Sequence, residues 1–102
     1  MGKPVLVSGN PNLLYVKNLL AALDKKGIPV EQKKPDFNNG SKVIVITRLD
    51  DVLDFNSTDW SKSDTPRPRV YAFGQIMYHA DGYFPPGDVD RLAEQIDQDL
   101  KT

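Results

Sequence analysis

Residues Val5 to Glu31, VLVSGNPNLLYVKNLLAALDKKGIPVE, constrain the fold more than any other stretch. Val5–Leu6–Val7 is a short apolar run closed by Ser8–Gly9–Asn10, the pattern of a buried strand. Asn10 and Pro11 predict a helix start, with the Asn side chain accepting a first-turn N–H and Pro at the first helical position. Val16, Leu19, Leu20 and Leu23 then follow at helical spacing and form one apolar stripe. Lys25 and Lys26 suit the negative end of the helix dipole, and Gly27 supplies the left-handed cap. Ile28–Pro29–Val30 opens a second strand, which a right-handed crossover returns parallel to the first. A chain that begins this way is an α/β domain.

Pro11, Asn12, Tyr15, Leu23, Asp24, Lys25, Lys26, Gly27, Ile28 and Glu31 fall in register, without a gap, on the opening of a glutaredoxin. That family, within the thioredoxin superfamily, carries Pro-x-Cys-Pro-Tyr-Cys at its first helix and Leu-x-Lys-Lys-Gly-Ile at that helix's end. Leu13 and Val16 stand at the two cysteine positions. A second block, Arg67–Pro68–Arg69–Val70–Tyr71 followed by Phe73–Gly74–Gln75, resembles the family's x-Pro-x-Val-Phe strand and the turn after it. The resemblance implies one thioredoxin-like domain over residues 1–102, a central mixed sheet flanked by helices. It also implies a cis peptide at Pro68, lying beside the loop that starts the first helix.

The sequence contains no cysteine, which excludes disulfides, zinc–thiolate sites and thiol–disulfide exchange by the protein itself. Basic and acidic side chains balance, 13 against 14, so net charge does not point to nucleic acid. Their distribution is uneven: residues 1–48 hold eight Lys/Arg and three Asp/Glu, and the remainder is acidic. No run approaches a membrane span of about 20 apolar residues. Met-Gly-Lys-Pro lacks the apolar core of a signal peptide, so a cytoplasmic location is the expectation.

Further along, Lys42–Thr47, KVIVIT, is dense in β-branched residues and reads as a strand, in tension with the helix that a glutaredoxin has there. A flavodoxin-like sheet with KVIVIT as its third parallel strand is the alternative. Leu49–Phe55 predicts one or two helical turns, and Asn56–Arg69 a long loop anchored by Trp60. Val70–Phe73 and Gln75–His79 predict an antiparallel hairpin about Gly74. Asp88 is expected to cap a final helix whose buried stripe is Val89, Leu92, Ala93, Ile96 and Leu100.

The expected site is a groove between the helix start and Pro68, lined by Asn10, Pro11, Asn12 and Tyr15 on one side and Arg67, Pro68 and Arg69 on the other. A non-redox domain of this kind binds a protein or peptide partner there and needs no cofactor; neither nucleic acid nor a membrane is expected as a partner. Asp81 falls where the family's glutathione-binding acid lies. Neither alignment of that segment keeps its two glycines, and Asn10 replaces the usual lysine, which argues against glutathione. A second reading is a small-ligand enzyme in which Ser8 or Tyr15 hydrogen-bonds a ligand's thiol. The loop Ser8–Asn12 joins a strand end to a helix start, a place attractive to anions beside a crevice; it lacks the glycine spacing of a phosphate-cradling loop, and a capped helix start without a ligand is the other reading. His79 and the Asp50–Asp51–Asp54 cluster read as structural and solvated groups.

Overall fold

The computed structural model describes residues 5–38, 40–62, 64–74 and 80–101. Five strands form one sheet: β1 (Val5–Val7), β2 (Val30–Gln32), β3 (Val43–Ile46), β4 (Arg69–Phe73) and β5 (Gly82–Phe84). Three helices flank it: α1 (Leu14–Lys25), α2 (Leu49–Asn56) and α3 (Val89–Lys101). The strand order is β2-β1-β3-β4-β5, and every neighbouring pair is parallel.

Alternation along the strands builds two cores. Val5, Val7, Val43, Val45, Tyr71 and Phe73 face α1 and α3, where Leu19, Leu23, Leu92 and Ile96 meet them. Leu6, Ile44, Ile46, Val70 and Ala72 face the other way, onto Val52 and Phe55 of α2 and the aromatic rings of Phe37 and Trp60. A strand covered on both faces carries no polar alternation, which is why KVIVIT is a continuous apolar run. The outer strand β2 is more exposed and correspondingly polar, VEQ.

Helix α1 ends as its sequence dictates. Gly27 takes φ +72°, its N–H donates to the Asp24 carbonyl, and the Ile28 N–H donates to the Leu23 carbonyl. These are the paired bonds of a Schellman cap. The start of α1 differs from expectation. The Asn10 side chain accepts the N–H of Asn12 and its carbonyl accepts that of Leu13, so residues 10–13 form a turn and the helix begins at Leu14. The local bond from Asn10 competes with helix formation and delays it.

Three further expectations are corrected. The sheet is all-parallel, not mixed as a thioredoxin-like layout requires. Val70–Phe73 is not the first arm of an antiparallel hairpin: β4 has parallel neighbours on both sides, so no edge is open to an antiparallel arm. The second arm, Gln75–His79, lies outside the described residues. No cis peptide occurs among the described residues, and the bond before Pro68 is trans. No helix among the described residues is long and apolar enough to cross a membrane.

Candidate functional site

The parallel sheet separates the residues expected to share a groove. Val7 lies level with Val45, and Val45 with Tyr71. Pro11 follows the C-terminal end of β1, whereas Pro68 precedes the N-terminal end of β4 and lies three residues below Tyr71. At ~3.3 Å per residue, roughly 10 Å of strand separates these levels before the loop beyond Val7 is counted. Asn10, Pro11, Asn12 and Tyr15 therefore stand at one end of the sheet, and Arg67, Pro68, Arg69 and Asp81 at the other.

Each group is engaged differently. Pro68 is buried. The Arg67 guanidinium forks onto Asp81, donating to Oδ1 at 2.6 Å and to Oδ2 at 3.3 Å, and covers the Phe55 ring at 4.8 Å. Asp81 Oδ2 also accepts the Val70 N–H at 2.7 Å, and the Asp81 N–H donates to the Val70 carbonyl at 2.8 Å. Asp81 thus ties the start of β5 to β4, extending the ladder by one rung through a side chain. Tyr15 packs edge-on against Phe73, with ring centroids 5.2 Å apart, and covers Gly74. Arg69 is exposed at the first position of β4.

The loop Ser8–Pro11 lines a cleft of about 570 Å³, together with Gln32–Pro35 after β2 and with Arg48 and Asp51 after β3. The strand order reverses here: the chain leaves β1 for β2 on one side and returns to β3 on the other. Diverging connections open a crevice at such a point, outside the carboxyl ends of the strands.

The walls of the cleft hold two buried polar groups. Ser8 is 3 % exposed, its N–H donates to the Val45 carbonyl, and its Oγ has no hydrogen-bond partner among the described residues. Asp51 is 5 % exposed, and burial is the main cause that raises its carboxyl above the ordinary value, opposed by the charges of Arg48 and Lys34. Gly9 has φ +120°, and a Cβ there would lie 2.5 Å from Thr47 Oγ1. The β1 loop can press against β3 only because residue 9 lacks a side chain.

Around the rim, Lys33 pairs with Glu31 at 3.0 Å and Arg48 with Asp50 at 3.6 Å, all four side chains largely exposed. Lys34 makes no ion pair with a described residue. Among the described residues no group of acidic or histidine side chains is placed to hold a metal ion. Sequence reading singled out Ser8–Pro11 but passed over Lys33, Lys34 and Arg48 as site residues and read Asp51 as part of a solvated cluster. The available signal was position: each follows closely on the C-terminal end of a strand, and a parallel sheet gathers those ends on one rim. Comparison with protein-family models, with curated proteins and with solved structures finds no match to the chain.

Proposed function

We propose that the chain is a flavodoxin-like binding module that takes a small ligand in the cleft outside the C-terminal ends of β1, β2 and β3. The strand order 2-1-3-4-5 supports this layout, in which ligands sit at the β1/β3 reversal. The observation that carries the reading is the buried hydroxyl of Ser8, a residue of the cleft lining, which has no hydrogen-bond partner among the described residues. Buried polar groups in folded proteins are almost always hydrogen-bonded, and an orphan of this kind marks a position completed by something else. The volume falls within the range of small-molecule sites.

A serine nucleophile needs a base within hydrogen-bond reach; Ser8 Oγ has none among the described residues, and no such role is assigned to it. A peptide groove between Tyr15 and Pro68 has the opposite support, since its two walls stand at different ends of the sheet. The test is amide chemical-shift mapping on the full chain, with ribose 5-phosphate, adenosine monophosphate, ribose and glutathione as probes at millimolar concentration. Shifts from at least one probe should cluster on residues 8–11, 32–35 and 48–51. Shifts confined to residues 67–69 and 81, or none from any probe, would refute the reading.

A further inference from the structure

We infer that the cleft is selective for a phosphate monoester on a small polar body, a sugar phosphate by class, whose phosphate takes the Ser8 hydroxyl and the charges of Lys34 and Arg48. This rests on the cleft being the ligand site and adds the ligand's chemistry. Three independent features converge on it.

The first is charge. The lining holds three cations, Lys33, Lys34 and Arg48, against one carboxylate, Asp51. That formal excess of two matches a phosphate monoester, which carries about −1.5 to −2 at neutral pH, and exceeds what a single carboxylate can neutralise. The rim pairs Lys33–Glu31 and Arg48–Asp50 are exposed, and exposed pairs are weak enough for either cation to turn toward a ligand.

The second is an unpartnered hydroxyl among the lining residues. A hydroxyl donates one hydrogen bond and accepts others, and Ser8 Oγ does neither among the described residues. A hydrogen bond from a neutral donor to an ionised acceptor is stronger than one to a neutral group. A phosphate oxygen at this position satisfies the orphan with the better of the two acceptors. The third is the composition of the remaining wall. Gly9, Asn10, Pro11, Gln32 and Pro35 complete the lining, and no aromatic side chain among the described residues faces it. A flavin or a nucleobase has no stacking platform here, which restricts the body of the ligand to something compact and polar.

The experiment is titration calorimetry of the full chain with ribose 5-phosphate, ribose and glutathione, together with amide shift mapping. Ribose 5-phosphate should bind with shifts centred on Ser8–Asn10, Lys34 and Arg48, and ribose should not bind. Glutathione, with two carboxylates and no phosphate, should bind at least tenfold more weakly, on the order of one charge-assisted hydrogen bond. Ser8→Ala should weaken ribose 5-phosphate roughly tenfold or more without lowering the melting temperature. Lys34→Glu with Arg48→Glu, both exposed sites, should weaken it further and flatten the salt dependence. Equal binding of ribose or glutathione in the cleft would overturn the phosphate assignment while leaving the cleft as a ligand site. Absence of any probe from the cleft would overturn both.

Discussion

Replacing Asp81 with alanine should destabilise the protein by about 1–4 kcal/mol. The carboxylate accepts the N–H of Val70, a residue with no exposed surface, and grips the Arg67 fork while its own side chain is only 17 % exposed. Removing it orphans a buried backbone donor, which costs about 1–3 kcal/mol. It also removes an ion pair whose arginine is half-exposed, worth about 0–1 kcal/mol. At ~4–8 °C per kcal/mol for a domain of this size, the melting temperature should fall by roughly 4–30 °C. Asp81→Asn keeps an oxygen for the Val70 N–H and should cost about 1 kcal/mol, and Arg67→Ala a similar amount. Urea unfolding followed by circular dichroism gives the order, and amide exchange at Val70 localises it, since that proton should exchange much faster in the alanine variant. If Asp81→Ala melts within about 0.5 kcal/mol of the parent, the side-chain rung does not hold β5, and Asp81 returns to consideration as a surface binding residue.

Ser8→Ala should raise stability by about 1 kcal/mol, because it deletes a buried hydroxyl with no partner among the described residues; thermal melts of the ligand-free chain would show it as an upward shift. Gly9→Ala should cost about 2–4 kcal/mol, combining an unfavourable φ of +120° with a Cβ driven against Thr47, and Thr47→Ala introduced beside it should recover part of the loss in urea midpoint. Asp51→Asn should be more stable than the parent at neutral pH. Burial raises the Asp51 carboxyl, so its stabilising contribution is present when protonated and is lost as pH rises through its folded value. The gap between the two proteins should therefore close as the pH falls toward the ordinary carboxylate range, and urea midpoints at pH ~7 and pH ~4 test this.

Local signals in the chain determined its elements. The stripe Val16, Leu19, Leu20 and Leu23, the Lys25–Gly27 helix end and the face Val89, Leu92, Ala93, Ile96 and Leu100 each depend on neighbours a few residues apart; the helix end stands as read, and both stripes pack on the core, with Leu20, Val89 and Leu100 only half-buried at its edge. Lys42–Thr47 was legible as a strand from its β-branched side chains, and its lack of polar alternation already described a strand covered on both faces. Strand direction was not legible. Parallel and antiparallel strands share the same two-residue period, so Val70–Phe73 beside Gly74 looked like the arm of a hairpin. Only the tertiary pairing of β4 with β3 and β5 made it an inner parallel strand. That decision also placed the candidate site. Because all five strands point one way, the segments after Val7, Gln32 and Ile46 meet on one rim, bringing Ser8, Lys34 and Arg48 to one cleft, while Pro68 and Asp81 fall to the opposite end. Proximity among residues far apart in sequence depends on strand direction and order, which follow from the burial of both sheet faces across the whole domain, not from any single segment.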